Sequence, residues 1–508
     1  MTTSMKFSWF NWHRRLGVIT CFGILLWGIS GISHPIMSHF QPRPASFMPP
    51  QQTMHLEESV FPDSLLTMQK ISRFLRLNVI SLEGTPYFRV AEYADKPARY
   101  FDASTAAELP EGDRQYAKML ASHYTGLPQA SITSTRYITA FSDDYHAVNQ
   151  LLPVWRVEFA GDQHLRAFID TDQARLSALV DDTRMTLTKV FRFGHNWSFL
   201  GGFPRLQVSI MAITVAMALF SACSGLYLYV SRRRHAKSRF ASKPVHRWHR
   251  RMGLVVAIST LMFAGSGLLH LIVSYMQATH KVTITYPTTL TSQLSAEAWH
   301  LVMHTPINKL DLTSFNGTPY WLSQGPGSNA RGSNALGSNP LAQEAQVAAL
   351  AQEEHHHGDH QAATGAPSGV MLVNAANADA GQADIMALAG EQAAAYANLP
   401  ASDIAGTSLV TQFGGEYGFL FKRLPVVRVQ FKGEGNPRYF IETSTGALAA
   451  KVTDGDALEG WIFAYVHKWN FADGNKTLRD IAVAMFALGN VIVALMGLYL
   501  FTRKKKYL

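Results

Sequence analysis

The sequence predicts a membrane protein, an α-helical four-span bundle that carries two duplicated α+β domains outside the bilayer. Three observations predict it. Four stretches are long and apolar enough to span, the basic residues crowd into three short segments beside them, and the same motifs occur twice in the same order.

The spans come first. A chain of 508 residues exceeds one hydrophobic core, and 47% of it is hydrophobic against 16% charged. Its apolar residues concentrate near Leu16 to Ser33, Leu206 to Val230, Met252 to Ser274 and Ile481 to Phe501, each close to the roughly 20 residues a helix needs to cross hydrocarbon. The first run leads into Pro-rich sequence with no small-residue cleavage site, so it reads as an uncleaved anchor.

Charge sets the orientation. Residues 1–15 carry Lys6, Arg14 and Arg15, residues 231–251 carry nine basic residues, the tail RKKK carries four, and none of these segments contains Asp or Glu. All three are therefore expected in the cytoplasm, with both termini inside an inner membrane and two large segments in the periplasm. Outside those segments 29 basic residues face 36 acidic ones, so the net charge of +9 reports topology and removes the main support for a nucleic-acid partner. The two cysteines, Cys21 and Cys223, both lie in spans, so the outer segments use no disulfides.

The duplication is read from motifs. WHRRLG at Trp12 returns as WHRRMG at Trp248, 236 residues on, and EGTPYF at Glu83 is echoed by NGTPYW at Asn316. LPVWRVEF at Leu152, RAFID at Arg166, HNWSF at His195 and GLYLY at Gly225 all recur 272 residues later. The chain thus divides into span 12–34, outer domain 35–205, span 206–230, basic loop 231–251, span 252–274, outer domain 275–480 and span 481–501. A low-complexity tract, 323–369, accounts for the extra length of the second half. In each outer domain a helical stretch precedes an alternating hairpin, LPVWRVEF with RAFID and LPVVRVQF with RYFIE, which is an α+β pattern.

Histidines stand where they are expensive. His13 and His249 enter the first and third spans from the cytoplasm, and His34 and His270 follow 21 residues later, roughly 30 Å along a helix and about the hydrocarbon thickness. A pseudo-twofold axis would bring His13 to His249 and His34 to His270. Two facing neutral imidazoles from two helices suit a six-coordinate haem iron, whereas carboxylates beside them would favour zinc or a di-metal centre. His195 and His467 precede the return spans and compete for the outer iron or face the substrate; Trp197 and Trp469 beside them suit the outer membrane interface. The matched Gly17, Gly31, Gly253 and Gly267 permit close approach of a helix or a flat macrocycle. Arg14, Arg15, Arg250 and Arg251 suit lipid headgroups or haem carboxylates. His355, His356, His357 and His360, in the tract EEHHHGDH, offer a separate loop site for a metal ion.

The WHRRLG start, the LPVWRV…FID hairpin and the GLYLY end resemble the PepSY-associated transmembrane family, in two copies over nearly the whole chain. Within it, the resemblance points to ferric-siderophore reductases of the FoxB type and PiuB-like iron-uptake proteins of the inner membrane. It implies PepSY-like periplasmic domains and b-type haem, two or more per chain, held by histidines among His13, His34, His195, His249, His270 and His467. It also implies an oxidoreductase that passes electrons outward to a ferric siderophore or another metal chelate. No nicotinamide or flavin fingerprint is visible, so the donor is expected to be separate, either a membrane quinol or a cytoplasmic reductase. The competing readings are a membrane-anchored, non-redox binding or regulatory protein and a transporter of the iron chelate.

Overall fold

The computed structural model describes residues 8–231, 244–278, 288–326, 370–377 and 384–503, and these fall into two compact units. The helices among them are α1 (Trp9–Phe40), α2 (Pro62–Met68), α3 (Gly112–Thr125), α4 (Asp182–His195), α5 (Pro204–Ser231), α6 (Pro244–Ala278), α7 (Ala296–Met303), α8 (Ile385–Ala397), α9 (Asp454–Ile462) and α10 (Lys476–Arg503).

The helical unit comprises 1–41, 183–281 and 455–508. Four of its helices, α1, α5, α6 and α10, are long and apolar enough to cross a membrane, and the chain is a multi-pass membrane protein. They outrun the apolar stretches by several residues at most ends, because the flanking Trp, Arg and Lys continue the helical hydrogen bonding past the hydrocarbon. Helix α1 packs against α5 and α10, and α6 closes the ring against the same two. Small residues make this possible. A Cβ on Gly28 would lie 2.5 Å from Val491 Cγ2, and one on Gly489 2.8 Å from Val256 Cγ1.

The sheet unit comprises 42–182 and 282–454 and holds seventeen strands among the described residues. In the first segment these are β1 (Arg73–Phe74), β2 (Arg76–Leu82), β3 (Thr85–Ala91), β4 (Arg99–Asp102), β5 (Glu108–Leu109), β6 (Ile132–Ile138), β7 (Val154–Phe159), β8 (Arg166–Asp170) and β9 (Arg175–Val180). The second adds β10 (Thr289–Leu290), β11 (Lys309–Phe315), β12 (Thr318–Gln324), β13 (Val370–Asn374), β14 (Ile404–Val410), β15 (Val426–Phe431), β16 (Arg438–Glu442) and β17 (Leu448–Val452).

The repeated GTPY motif proves to be a hairpin turn. Glu83–Gly84 joins β2 to β3 and Asn316–Gly317 joins β11 to β12, and all four residues have positive φ (53°, 93°, 50° and 79°). A two-residue turn with both φ positive matches the right-handed twist of the strands it connects. The alternating hairpins extend by one strand on each side into two sheets of like order, β6-β7-β8-β9 and β14-β15-β16-β17. Their bulges correspond as well, at Ile132/Ser134 and at Ile404/Gly406.

The two outer segments share one structure. β2 pairs antiparallel with β11, producing a seven-stranded sheet of order β13-β12-β11-β2-β3-β4-β5. Leu77 opposes Leu312, Asn78 opposes Asp311 and Val79 opposes Leu310, a register with a local twofold centred on the corresponding residues Asn78 and Asp311. One face buries Leu77, Val79, Phe88, Leu310, Trp299 and Trp321 in a core drawn from both segments, and the other carries two lobes built around α3 and α8. Buried ions lock the segments together: Glu442, wholly buried, receives Arg423 at 2.6 Å and Arg175 at 2.9 Å. Burial alone would raise the Glu442 carboxyl, but the two guanidiniums hold it down at about 2.

Candidate cofactor site: two imidazole pairs

The helical unit brings two pairs of histidines face to face. His13 on α1 and His249 on α6 have ring centroids 6.5 Å apart, and His195 at the end of α4 and His467, following α9, have theirs 6.3 Å apart. Both separations would leave room for one metal ion held by the two imidazoles, since metal–nitrogen bonds of about 2 Å on each side put such rings roughly 6 Å apart. Touching rings would be closer, so each pair leaves the gap a bridging atom needs.

Hydrogen bonds at Nδ1 favour one tautomer in three of the four rings. His13 Nδ1 lies 2.9 Å from the Ser221 carbonyl, to which it can only donate, whereas the buried His249 Nδ1 meets no hydrogen-bond partner among the described residues. In the outer pair, Ser266 Oγ donates to the Met262 carbonyl at 2.5 Å and accepts from His467 Nδ1 at 3.0 Å. Ser30 does the same to Leu26 (2.6 Å) and His195 (3.4 Å). A proton held on Nδ1 leaves the Nε2 lone pair free, the arrangement that metal-ligating histidines use.

Glycines make room for the rings. A Cβ on Gly225 would lie 3.0 Å from His13 Cε1, one on Gly497 3.4 Å from His249 Cε1, and one on Gly267 3.5 Å from His467 Cε1. Arg14 lies 5.2 Å over the Phe501 ring and Arg250 5.6 Å over Tyr229, so these arginines cap aromatic rings beside the inner pair.

The family model described as the PepSY-associated TM region matches residues 79–504. The chain belongs to the PepSY-associated transmembrane family. A search of curated proteins finds no match. Of the paired imidazoles of this PepSY-associated protein, His195, His249 and His467 lie inside the matched residues, and His13 precedes them.

Not every candidate histidine of the PepSY-associated chain joins a pair. His34 and His270 make no ring contact with each other among the described residues. Each is separated from the outer pair by a phenylalanine: Phe191 lies 5.7 Å from His34 and stacks at 4.6 Å on His195, while Phe463 stacks at 4.0 Å on His270 and 4.9 Å on His467. His270 Nδ1 also meets Glu459 at 2.5 Å, a carboxylate supplied by α9 from outside the spans. Of the outer candidates, His195 and His467 are thus the two whose rings face each other. His355, His356, His357 and His360 lie outside the described residues. Among the described residues no group of three or more His, Cys, Asp or Glu side chains is placed to hold a metal ion.

Trp197 and Trp469 are packed inside the helical unit. They are only 4% and 8% exposed, turned inward by positive φ of 52° and 60°. Trp197 stacks on Trp27 at 5.0 Å and Trp469 on Phe263 at 5.4 Å. The backbone after each histidine reverses there, and that reversal carries the indole into the bundle rather than to its rim.

Proposed function

We propose that this family member is an inner-membrane, b-type haem oxidoreductase that carries electrons outward and reduces a ferric siderophore or similar ferric chelate in the periplasm. The observation that supports it best is the two facing imidazole pairs, with ring centroids 6.5 and 6.3 Å apart and with Nδ1 of His13, His195 and His467 hydrogen-bonded. Two haems would be held, one by His13 with His249 and one by His195 with His467. Bound there, haem supplies a one-electron ferric/ferrous couple.

The chain's own residues do the rest. Ser30 and Ser266 keep a proton on Nδ1 and present Nε2 as a neutral donor, the apolar helix faces exclude water, and the PepSY-like sheet unit holds the chelate. Arg14 and Arg250 would balance the haem carboxylates at the inner pair. Reduction releases the metal because hard oxygen donors bind Fe(III) far better than Fe(II). The electron donor is a separate molecule, a quinol or a cytoplasmic reductase. The matched motifs and sheets descend, in this reading, from duplication of one PepSY-like half.

Purified protein tests the proposal. Reduced-minus-oxidised spectra are expected to report low-spin bis-histidine haem, and a pyridine assay two haems per chain. Anaerobic addition of a ferric hydroxamate should reoxidise them. A folded, colourless preparation refutes the redox reading and leaves a non-redox binding protein.

A further inference from the structure

We propose that two matched aromatic stacks, Trp27 on Trp197 and Phe263 on Trp469, are the electronic link between the inner and outer imidazole pairs. The inference rests on the haem reading above and adds the residues that carry charge across the middle of the bundle.

Position comes first. Along α1, His13 marks the inner pair, and Ser30, bonded to His195, marks the outer one. A Cβ on Gly23 would lie 3.0 Å from the Trp27 ring and 3.5 Å from that of Trp197, so the stack sits at the level of Gly23. Ten residues of helix, about 15 Å, separate that level from His13, and seven more, roughly 10 Å, reach Ser30. The stack therefore divides a long gap into two shorter ones. Trp27 Nε1 also donates to the His195 carbonyl at 3.0 Å, joining the stack to the ligand's own backbone.

The manner in which these rings are held is the second argument. Both tryptophans occupy a left-handed backbone conformation that bulky side chains avoid. Both bury an indole N–H that meets no acceptor among the described residues, a cost that buried polar groups normally escape. The same two penalties recur at both members of a matched pair. Yet the rings lie nearly parallel to their partners, 13° apart in each stack. A residue kept at the expense of its backbone and its donor is kept for its π face. Phe263 in the place of Trp27 indicates that an aromatic face suffices.

Electronic coupling decays exponentially with distance and more slowly through π orbitals than across aliphatic packing. One electron leaves the inner group and one arrives at the outer group; no bond forms or breaks, and the rings remain neutral.

The test compares Trp197→Leu with Trp469→Leu, combined, against the corresponding double Phe variant. Inverted membrane vesicles receive dithionite, which cannot cross the bilayer, and haem absorbance is followed in stopped flow. The Leu variant is expected to keep its haem content and slow the second phase of reduction roughly tenfold or more, while the Phe variant keeps the natural rate. In haem-free protein, Trp27→Phe should change the near-ultraviolet circular dichroism, because it removes one of two indoles stacked 5.0 Å apart. An unchanged spectrum, or equal transfer rates in the Leu and natural proteins with haem present, overturns the inference alone. Absence of haem from the natural protein overturns the functional reading and this link with it.

Discussion

Replacing Ser266 by Ala removes one hydroxyl and no ligand, so it isolates what the hydrogen bond behind His467 contributes. Ser266 Oγ receives the His467 Nδ1 proton at 3.0 Å while its own proton is committed to the Met262 carbonyl. Without it, the imidazole is free to rotate and to exchange tautomers, and the fraction presenting Nε2 to the gap falls. Loss of such an outer partner costs about 10- to 100-fold in affinity, or about 1.4–2.7 kcal/mol. Ser30 and His195 stand at 3.4 Å, near the limit of a hydrogen bond, so Ser30→Ala should cost clearly less. The assay is the rate at which a high-affinity haem acceptor strips haem from purified protein in detergent, with the inner haem as internal control. Ser266→Thr, which keeps the hydroxyl, should restore the natural rate. If Ser266→Ala loses haem no faster than natural protein, or Ser30→Ala loses it faster than Ser266→Ala, the tautomer argument is wrong.

Other expectations follow from the same distances and charges. Gly225→Ala would press a methyl against His13 and should remove the inner haem while the outer spectrum persists; Gly497→Ala, with 3.4 Å available, should be milder. The readout for both is haem per protein. His13→Ala should likewise remove only the inner haem, whereas His34→Ala should leave two haems per chain by the pyridine assay. Glu442→Gln strands two buried guanidiniums. Lowering its carboxyl from 4.5 to about 2 corresponds to about 3 kcal/mol at roughly 1.4 kcal/mol per pH unit, within the range for breaking a buried pair. Because the folded value lies below the unfolded one, that stabilisation is complete above about pH 4.5 and is lost as pH falls towards 2. Urea unfolding of natural protein should weaken over that window, and the Gln variant should show less of this dependence.

The spans and the twin histidines are legible in the sequence because hydrocarbon imposes a length and a duplicated motif imposes a separation. The separations of 236 and 272 pair His13 with His249, His34 with His270 and His195 with His467 before any coordinate is known. Which outer histidines meet is not legible, since that depends on Phe191 and Phe463 interposing their rings, and aromatic residues in apolar sequence carry no mark of such a role. The inward turn of Trp197 and Trp469 is hidden for a similar reason: nothing in HNWSF or HKWNF announces a positive φ at tryptophan. Ser30 and Ser266 register in the sequence only as small residues, although the matched positions could have suggested partners for the matched rings. The union of the outer segments is equally silent, because β2 and β11 are short strands, almost fully buried, whose sequences name no partner and whose pairing spans the intervening helices.

That pairing has a consequence for how the protein is made. β2 emerges from the ribosome roughly 230 residues before β11, so its edge stays bare while two membrane helices are inserted between them. An exposed apolar edge is an invitation to foreign strands. The nascent first half must be shielded until its twin arrives, and a gene truncated after α5 would yield an aggregation-prone fragment in place of a working half.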